Sequence, residues 1–573
     1  MRRPILLRDH RHDRWLQFTE PVDVVIAREI DDVVPALRAI EARVNGEGRW
    51  AAGFISYEAA PAFDSALVAT RGGSLPLVWF GIFREPAVMP APAIAMPPAT
   101  PEWAPAVRRA DYDDRIASIR SHIRDGDTYQ VNYTFPLQSR ITADPWDVFR
   151  SLINAQQPAY PAFIETDDAV VCSASPELFF SLEGRTVTSR PMKGTAPRGR
   201  FPEEDASQAQ WLRTSEKNRA ENVMIVDMIR NDIGRIADVG SVVASDLFQI
   251  ERYPTVWQMT STVTGQTDAS VADIVAALFP CASITGAPKA RTTAIIAALE
   301  TTPRGLYTGA IGFMAPHRRA QFNVAIRTVV IDRATGGAEY GVGGGITWES
   351  DAQNEYAECL TKARILTERR PDFALLETMR CTSGVIIDAD AHLERMTASA
   401  DYFGIPFDAA LVRQTLLSTA AHFNSAGRIV RLIVSRDGRP RCESAPLVAR
   451  SSPVRLTLAA SPVDSNDIFL FHKTTHRAVY DAARRASPDA DDVLLWNERG
   501  EVTESCISNV IVEFRDGLWT PPVGCGLLAG TARAEALASG AVRERVITIE
   551  ELKHSTAIWL LNSVRGRERA QLV

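Results

Sequence analysis

The sequence lacks the features that mark membrane, secreted and nucleic-acid-binding proteins. No apolar run approaches the roughly 18 to 20 residues that span a bilayer, and the first residues, Met1–Pro4, lack the apolar core of a secretion signal. There is no basic excess either, because 63 Lys and Arg residues face 70 Asp and Glu residues, for a net charge of −7. Binding to a phosphate backbone depends on clustered cationic side chains. We therefore expect a cytoplasmic protein with no nucleic-acid partner and no membrane partner.

Cysteine forms no recognisable pattern in this chain. The seven cysteines are an odd number, lie far apart and include no Cys-x-x-Cys spacing, so neither a zinc site nor a redox motif is indicated. Hydrophobic residues make up 46% of the chain and charged residues 23%, close to the averages of soluble globular proteins. The composition thus indicates an ordinary folded protein.

The length of 573 residues indicates at least two domains, because single domains usually contain about 50 to 250 residues. Seven prolines in the twenty residues from Pro86 to Pro105 exclude a helix or a central strand there and indicate a surface connection. Strand-like and helical patterns alternate from Tyr112 to about Ile365, which is typical of α/β or α+β structure. A charged helix end meets Pro371, so we predict domains at 1–368 and 372–573.

Two carboxylate positions indicate a cation site. Glu221 lies on an apolar side of a predicted helix from about Ser215 to Ile236, and a buried carboxylate is costly unless a cation faces it. Spacings of three and four place Glu355, Glu358 and Lys362 on one stripe of a second helix. Mg²⁺ accepts one or two carboxylates together with water and an anionic substrate, so Glu221 with Glu358 fits such a site. A solvated face with a Glu358–Lys362 ion pair explains the same spacing.

A lysine in a loop is the third chemical feature of this part. Lys193 lies within the run Arg190–Gly199, which contains several glycines and prolines. On a pre-shaped loop, such a lysine becomes a nucleophile when burial lowers its pKa. An ordinary surface lysine is the alternative interpretation.

Seven short motifs, taken in order, resemble those of the chorismate-utilising enzymes. The resemblance extends over roughly residues 10 to 366, and so many ordered motifs outweigh the simpler alternatives above. It implies a chorismate-utilising enzyme fold of the α+β class, in which a large β-sheet sandwich is wrapped by helices. The motifs are Ser175-Pro176-Glu177, Pro191-Met192-Lys193-Gly194-Thr195, Glu216–Asn222, Arg230–Arg235, Ser283–Lys289, Ala325–Thr328 and Gly343–Ile346.

Lys193 decides which members of that family the chain resembles. Anthranilate synthases usually carry alanine at this position, whereas aminodeoxychorismate synthases carry lysine. Isochorismate and salicylate synthases have a water-activating lysine where this chain has Gln130. The resemblance therefore implies addition of ammonia, not water, at C4 of chorismate. It assigns Glu177 to protonation of the departing hydroxyl and Lys193 to covalent attack at C2, after which ammonia displaces the lysine.

The resemblance also implies the binding residues. Glu221 and Glu358 would hold Mg²⁺, with Glu355 acting through water. Two positions depart from the family pattern: Gln258 replaces a usual histidine near the ring hydroxyl, and Asn218 replaces an acidic residue that often supports the metal. The residues matched to the ring and its two carboxylates are Gly194, Thr195, Thr285, Gly286, Tyr307, Arg327, Gly343, Gly345 and Lys362.

The C-terminal part contains a second chemical pattern. Lys473, a downstream Glu504 and small hydroxyl or glycine residues are what pyridoxal phosphate requires: a covalent anchor, a partner for the pyridine nitrogen and phosphate donors. Any one of these alone is more often a surface lysine or a turn. Together they resemble fold type IV pyridoxal-phosphate enzymes over roughly 372 to 573, which implies a two-subdomain α+β unit. The resemblance rests on Glu377–Arg380, His392–Met396, His472–Arg477, Glu504–Asn509, Thr520–Pro522 and Gly526–Arg533.

By that resemblance, Lys473 binds the cofactor covalently and Glu504 bonds the pyridine nitrogen. The family includes branched-chain transaminases, D-amino-acid transaminases and aminodeoxychorismate lyases. The runs Lys473–Arg477 and Asn562–Gly566 most resemble the lyases, whose substrate is the product of the synthases. The remaining residues matched to the phosphate and the ring are Arg395, Ser508, Asn509, Gly530 and Thr531.

The two resemblances together predict a bifunctional enzyme. It would convert chorismate and ammonia to 4-amino-4-deoxychorismate, and then to pyruvate and 4-aminobenzoate, a folate precursor. Nothing resembles a glutaminase, so a separate glutamine amidotransferase subunit is expected to supply ammonia. Analogy with fold type IV enzymes suggests a homodimer through the C-terminal domain. The alternatives are an anthranilate-type synthase joined to an amino-acid transaminase, and a catalytically inert assembly subunit.

Overall fold

The computed structural model describes residues 3–70, 72–93, 101–367, 371–423 and 427–573. The chain forms two compact units: Met1–Pro197 with Gln208–Arg370, and Arg198–Ser207 with Pro371–Val573. The segment Arg198–Ser207 therefore belongs to the second unit, whereas the predicted boundary at Pro371 assigns it to the first. Residues 94–100 of the proline-rich stretch, and the helix end at 368–370 on which the boundary prediction depended, lie outside the described residues.

Two antiparallel sheets form the centre of the first unit. Their strands are β1 (Ile5–Asp9), β2 (Arg14–Phe18), β3 (Asp23–Ala27), β4 (Trp50–Ile55), β5 (Val78–Phe83), β6 (Ala87–Met89), β7 (Ala104–Pro105), β8 (Gln130–Arg140), β9 (Tyr160–Glu165), β10 (Ala169–Ser175), β11 (Leu178–Glu183), β12 (Thr186–Arg190), β13 (Met192–Pro197), β14 (Val243–Arg252), β15 (Val256–Gln266), β16 (Gly286–Ala287), β17 (Ala310–Ala315), β18 (Arg319–Val324), β19 (Thr328–Asp332) and β20 (Gly337–Ile346). The first sheet has the order β16-β8-β20-β19-β10-β9-β1-β2-β6, with β7 beside β8. The second has the order β13-β15-β12-β11-β18-β17-β4-β5-β3, with β14 beside β15.

The two sheets face each other, and helices cover their outer faces. Phe18 and Ile164 of the first sheet share a buried cluster with Phe54 and Phe313 of the second. Other clusters lie between the sheets and the helices, so the predicted sandwich wrapped by helices is confirmed. The helices are α1 (Ile30–Glu47), α2 (Arg109–Arg124), α3 (Pro145–Gln156), α4 (Pro202–Thr214), α5 (Glu216–Gly234), α6 (Val271–Leu278), α7 (Lys289–Leu299) and α8 (Ala352–Ala363), with 3-10 turns at Tyr57–Ala62, Ala282–Ile284 and Arg364–Leu366.

Local sequence explains where these helices start. Asp144 accepts a hydrogen bond from the backbone of Trp146 at the start of α3, and Pro145 occupies the first helical position, where its missing N–H costs nothing. Ser215 caps α5 in the same way, so the helix begins and ends within two residues of the predicted range. Among the described residues, no helix has both the length and the apolar character that a membrane crossing requires.

The second unit contains two sheets and their own helices. The first, of order β22-β21-β23-β24, is antiparallel and packs against α9 and α10, and the second, of order β27-β26-β25-β32-β31-β28-β29-β30, mixes parallel and antiparallel pairs. This agrees with a two-subdomain α+β unit. The elements are β21 (Leu375–Thr382), β22 (Val385–Ile386), β23 (Arg428–Val434), β24 (Pro440–Pro446), β25 (Val454–Leu458), β26 (Asp492–Trp496), β27 (Val502–Ser505), β28 (Asn509–Phe514), β29 (Gly517–Thr520), β30 (Arg543–Glu544), β31 (Ala557–Asn562), β32 (Gly566–Leu572), α9 (Ala389–Phe403), α10 (Ala409–Ala420), α11 (Ala478–Ala486), α12 (Thr531–Ala538) and α13 (Ile549–Leu552), with 3-10 turns at Ile468–Leu470 and Val523–Cys525.

A buried ion pair connects several chain segments of the first unit. Arg304 binds Glu300 through two bonds of 2.8 Å, and the two side chains are 2% and 5% exposed. Arg304 also donates to the carbonyl oxygens of Asn132 at 2.7 Å and Ile284 at 3.0 Å. Glu300 accepts from the backbone and the hydroxyl of Thr134 at 2.9 Å. The pair thereby fixes β8 to the turn that precedes β16.

Replacing Arg304 by methionine should destabilise the first unit by about 3 to 5 kcal/mol, because it leaves the Glu300 charge buried and unpaired. The measurement is chemical denaturation followed by tryptophan fluorescence. The control is Arg109→Met, which breaks an exposed Arg109–Asp113 pair of the same spacing and the same 2.8 Å distance and should leave the midpoint almost unchanged. Equal effects of the two substitutions would contradict the importance of the buried pair.

Candidate active sites

Lys193 lies in β13, the end strand of the second sheet, which pairs with β15. Its side-chain nitrogen lies 3.2 Å from the position that a Cβ atom would take at Gly345 in β20 of the first sheet. Burial lowers the pKa of Lys193, and Lys362 lowers it further, whereas three nearby carboxylates act in the opposite direction. The lysine therefore reaches the glycine run of the other sheet, where burial favours its neutral, nucleophilic form.

Glu177 lies immediately before β11 and is 3% exposed. The hydroxyl of Ser283 donates a 2.7 Å hydrogen bond to Oε1 of Glu177. Burial raises the pKa of Glu177 to about 7, although Ser283 and Lys193 act in the opposite direction. A carboxyl group with such a pKa is protonated in a substantial fraction of molecules near neutral pH, as a general acid must be.

Both departures from the family pattern contact the segment that carries Lys193. The Gln258 amide donates to the Gly194 carbonyl oxygen at 2.8 Å, and its oxygen accepts from the Thr195 hydroxyl at 3.2 Å. Gly194 has a φ of 94°, and a Cβ atom there would lie 3.1 Å from Asn218. Thr195 is exposed, and its hydroxyl is directed to Gln258. These contacts show that Gln258 and Asn218 support the lysine segment.

The glutamates of α8 approach the glycine run Gly343–Ile346. Oε2 of Glu355 lies 3.1 Å from the position of a Cβ atom at Gly344, and its Oε1 accepts from Ser350 at 2.7 Å. Glu358 pairs with Lys362 at 2.8 Å. Lys362 also donates to the Gly343 carbonyl oxygen at 2.9 Å. The predicted helical stripe thus faces the predicted site.

The carboxylates suit Mg²⁺ by their chemistry, but the described residues contain no preformed metal cluster. Burial raises the pKa of Glu221, and Glu358 contributes to that shift, so these two carboxylates influence each other. Carboxylate oxygens are donors that Mg²⁺ prefers. Within the described ranges, however, no group of three or more His, Cys, Asp or Glu side chains is placed to hold a metal. Lys362 neutralises Glu358 in this arrangement.

Unpaired buried polar atoms mark the space beside Lys193. Both side-chain amide atoms of Gln130 and Nη1 of Arg327 are buried without a hydrogen-bond partner among the described residues. A Cβ atom at Gly345 would lie 1.9 Å from the Gln130 amide nitrogen, so a larger residue there would displace the Gln130 side chain. Arg327 has a φ of 51°, an uncommon conformation for a residue with a Cβ atom. Buried donors of this kind are available to a bound carboxylate.

Thr285, Gly286 and Tyr307 lie beside the same strands. The Thr285 carbonyl oxygen accepts a hydrogen bond from the Asn132 backbone N–H at 2.7 Å. The Thr285 hydroxyl donates to the Cys281 carbonyl oxygen at 3.1 Å. Gly286 pairs with Val131 of β8. The ring of Tyr307 covers Gly341, which precedes Gly343 by two residues. The structure therefore groups the predicted substrate-binding residues, although the Thr285 hydroxyl is engaged within its own turn.

The second unit contains a cavity of about 300 Å³ that is lined by Lys473 and Glu504, among others. Burial lowers the pKa of Lys473 to about 8, and Arg395 adds to that shift. Burial raises the pKa of Glu504 to about 7. Glu504 accepts hydrogen bonds from the Tyr480 hydroxyl at 2.8 Å and the Asn509 amide at 3.2 Å. A lysine and a carboxyl group with opposite pKa shifts thus share the cavity.

The remaining predicted cofactor residues surround the same cavity and fit pyridoxal phosphate. Gly530 precedes α12, whose backbone N–H groups can bind a phosphate, and a Cβ atom at Gly530 would lie 2.0 Å from Asn509. Arg395 binds Glu377 at 2.8 and 2.6 Å and lines the cavity beside Thr531. Ser508, which also lines the cavity, accepts a 2.8 Å bond from Asn562. The anchor, the ring partner and the anion site therefore lie around one space.

Three further residues support these sites, and sequence reasoning assigned a role to none of them. Ser283 and Glu377 lie within the quoted motifs, but their partners Glu177 and Arg395 are 106 and 18 residues away. Tyr480 lies on α11, beyond the lysine motif. Ser283 and Glu377 could have been found from the sequence, because each is a polar residue within a matched motif. Nothing in the sequence marks Tyr480.

Two protein-family models match the chain, one in each of its two parts. Residues 2–368 match the model of the chorismate binding enzyme family, and the chain belongs to that family. Residues 374–568 match the amino-transferase class IV model, which implies pyridoxal phosphate as the cofactor of this part. Both predicted resemblances are confirmed.

Individual proteins and solved structures are similar to this chain over part of its length. The chain is 43% identical over 259 residues to an aminodeoxychorismate synthase from Streptomyces griseus. The aligned segment covers 44% of this chain and 35% of the relative. It is 41% identical over 280 residues to aminodeoxychorismate synthase component 1 from Klebsiella aerogenes, covering 48% and 61%. The chain thus spans less than two thirds of the length of these relatives. Anthranilate synthase component I from Streptococcus pneumoniae shares the fold, with a TM-score of 0.54, 24% identity, and 64% and 93% of the two chains covered.

Reduction with borohydride in the presence of pyridoxal phosphate should attach the cofactor to Lys473, because this lysine lines the cavity and has a lowered pKa. The chain has six lysines, so peptide mass spectrometry can assign the label. Lys553, whose side chain is 65% exposed, serves as the control for non-specific labelling, and Lys473→Arg should remove the main label. Labelling of Lys473 no stronger than that of Lys553 would contradict the assignment.

Proposed function

We propose that this protein is a bifunctional enzyme that makes 4-aminobenzoate from chorismate and ammonia. The first unit would aminate C4 of chorismate, and the second would remove pyruvate from the resulting 4-amino-4-deoxychorismate. The observation that carries the first assignment is that half-buried Lys193 and buried Glu177 interact electrostatically, with the pKa of the lysine lowered and that of the carboxyl group raised. A neutral amine and a protonated acid are the two groups that this amination requires.

The first reaction then follows from the two side chains. Protonated Glu177 donates its proton to the C4 hydroxyl, which leaves as water, while neutral Lys193 attacks C2 and the two conjugated ring double bonds shift. Ammonia next attacks C4, both double bonds return, Lys193 leaves C2, and the added nitrogen releases a proton. Two consecutive displacements place nitrogen on the carbon that lost oxygen. The products are 4-amino-4-deoxychorismate and water.

The substrate is a dianion, and the first site supplies groups to bind it. Arg327 has an unpaired buried nitrogen, and Lys362 and Tyr307 lie by the glycine run. Glycine at 343 and 345 lets backbone N–H groups approach the substrate closely. Glu221 and Glu358, with Glu355 through water, would hold Mg²⁺, which supplies positive charge opposite the ring carboxylate. Gly194, Thr195, Thr285 and Gly286 complete the proposed substrate-binding set.

In the second reaction, Lys473 moves the proton. Pyridoxal phosphate, when bound, withdraws electrons from the carbon that carries the substrate amine. Lys473 removes the proton from that carbon, C4, and returns a proton to the departing enolpyruvyl group, so that pyruvate leaves and the ring becomes aromatic. Glu504 would bond the pyridine nitrogen. Arg395, Ser508, Asn509, Gly530 and Thr531 would hold the phosphate and the ring.

The charges around the cavity favour a lyase over an amino-acid transaminase. Arg431, Arg477 and Arg565 line the cavity with Lys473, and Glu504 is the single carboxylate among its described lining residues. Arg395 is already neutralised by Glu377. Arg431 also pairs with Glu443, at 3.8 Å. Arg477 and Arg565 then give two guanidinium groups, which suit a substrate with two carboxylates better than an amino acid with one α-carboxylate.

A separate glutamine amidotransferase subunit would supply ammonia. Cys525, in the run Gly524-Cys525-Gly526, superficially resembles a glutaminase nucleophile, but it is 2% exposed and burial raises its pKa to about 12. Such a thiol is not nucleophilic at neutral pH. The resemblance to fold type IV enzymes also supports a homodimer through the second unit. A cytoplasmic location is a further part of the proposal.

The rate of chorismate consumption should fall as pH rises through about 7, because Glu177 must be protonated to act as an acid and its pKa is raised to about 7 by burial. The measurement is initial rate against pH, with the concentration of free ammonia held constant. Glu177→Gln should remove this limb and lower kcat by about 10² to 10⁴. The control Glu183→Gln changes a more exposed carboxyl group of the adjacent strand and should keep the wild-type profile. A limb that persists in Glu177→Gln would contradict the role.

Product analysis with chorismate, ammonium, Mg²⁺ and pyridoxal phosphate tests the two activities separately. Wild type should release 4-aminobenzoate and pyruvate, Lys193→Ala should consume chorismate far more slowly, and Lys473→Ala should accumulate 4-amino-4-deoxychorismate. Anthranilate as the main product would replace the first assignment by the anthranilate alternative. Release of 4-aminobenzoate at the full rate by Lys473→Ala would overturn the second.

A further inference from the structure

The second unit includes ten residues that come from within the sequence of the first. The segment Arg198–Ser207, here called the strap, belongs to the same compact unit as Pro371–Val573. It begins one residue after Pro197, the end of the strand that carries Lys193. It also lies inside the range 2–368 that matches the chorismate binding enzyme model. The strap is therefore a structural part of the second unit that the family boundaries assign elsewhere.

A buried ion pair joins the start of the strap to the first turn of α4. Arg198 and Asp205 form two bonds of 2.7 and 2.8 Å, with side chains 6% and 9% exposed. The same carboxylate accepts from the backbone of Gly199 at 2.9 Å. The planar guanidinium group is thus held in one orientation by both oxygens of Asp205.

This orientation places the guanidinium group on Tyr402 of α9. Cζ of Arg198, the central carbon of the guanidinium group, lies 4.3 Å from the centre of the Tyr402 ring. Arg198 also donates to the Tyr402 carbonyl oxygen at 2.9 Å. The Tyr402 hydroxyl donates to the Gly199 carbonyl oxygen at 2.7 Å. Tyr402 is therefore held on its ring face, its backbone and its hydroxyl by the strap.

Tyr402 in turn packs on the residue before the cofactor lysine. Its ring centre lies 4.3 Å from that of His472, which is 2% exposed and hydrogen-bonds Ser399 at 3.0 Å. Burial lowers the pKa of His472 to about 3, so the imidazole is a neutral packing partner. Lys473 follows directly, and its carbonyl oxygen accepts from Leu376 at 3.0 Å. The backbone of Lys473 is thereby fixed from two sides.

The rest of the strap contacts the residues around this point. Phe201 stacks on Phe471 with ring centres 5.3 Å apart. Arg200 donates to the carbonyl oxygens of Ser465 at 3.1 Å and Gly524 at 3.4 Å. The strap thus also contacts Phe471, the residue that precedes His472, and the segments that contain Ser465 and Gly524.

We propose that the strap positions Lys473, with Arg198 acting through Tyr402 and His472. This proposal rests on the proposed role of Lys473 as the cofactor lysine. Arg198 is a positioning residue, because it is not among the described residues that line the cofactor cavity. One consequence is that the cofactor site of the second unit depends on sequence from the first half of the chain, so the two family segments are not independent proteins.

Cofactor binding by the full-length chain tests the proposal. Arg198→Met removes the charge and the pair with Asp205 but keeps an apolar side chain on Tyr402. We expect the Kd for pyridoxal phosphate, measured by absorbance titration of the apoprotein, to rise about tenfold, in line with losses seen when supporting residues are removed from a site. The pH at which the absorbance of the bound cofactor titrates should also shift, because Lys473 loses its fixed position.

Two variants calibrate this result. Arg543→Met removes another arginine that lies 4.3 Å over an aromatic ring, Trp519, in the same unit, and should leave the Kd and the spectral titration unchanged. Arg198→Lys keeps the cation on Tyr402 and should recover part of the affinity. If Arg198→Met does not fold, Tyr402→Phe removes only the hydroxyl bond to Gly199 and should raise the Kd two- to threefold.

The outcomes separate this proposal from the proposed function. Wild type that binds no pyridoxal phosphate, or binds it at a lysine other than Lys473, would refute the assigned cofactor site and the strap proposal with it. Wild-type Kd and wild-type spectral titration in both Arg198→Met and Tyr402→Phe would refute the strap proposal alone. A lower unfolding temperature with unchanged cofactor binding would have the same meaning, since it would show a purely structural strap.

Discussion

Burial of an amine close to a carboxyl group is the constraint on which both candidate sites depend. A lysine exposed to water is protonated near neutral pH and cannot act as a nucleophile or a base. In each unit, desolvation shifts the pKa of one half-buried lysine and of one buried glutamate: Lys193 with Glu177, and Lys473 with Glu504. Desolvation lowers the pKa of the amine and raises that of the acid, so the two values approach each other. Proton transfer near neutral pH then requires little energy.

The sequence indicates the identity of these groups but not how they are buried. Lys193 and Glu177 could be found because each lies in a short ordered motif. The lowered pKa of Lys193, however, depends on the approach of β13 to Gly345, which is 152 positions away in the sequence. Local periodicity carries no information on such a pairing. The same holds for Gln258, which the sequence marks only as a departure and which the structure shows to hold Gly194 and Thr195.

The fold could be predicted to a similar extent. The sandwich, the second α+β unit and helix α5 agree with the sequence patterns, because motif order, periodicity and capping residues are local signals. The assignment of Arg198–Ser207 to the second unit could not be predicted. Its partners Tyr402 and Phe471 lie more than 200 residues further along the chain, and nothing in the strap itself distinguishes it from an ordinary charged loop.

The scarcity of lysine shows how the chain separates two uses of positive charge. It has six lysines among 63 lysine and arginine residues, so arginine occupies almost every position that needs only a cation. Arginine stays protonated in proteins and forms two parallel bonds to a carboxylate, as Arg304 and Arg198 do. Lysine can lose its proton when buried, and Lys193 and Lys473 lie where that loss is favoured. The electric field within a binding site is set mainly by a few desolvated cations at short range, because salt screens the charges that lie further away. The net charge of −7 therefore does not prevent binding of a dianion.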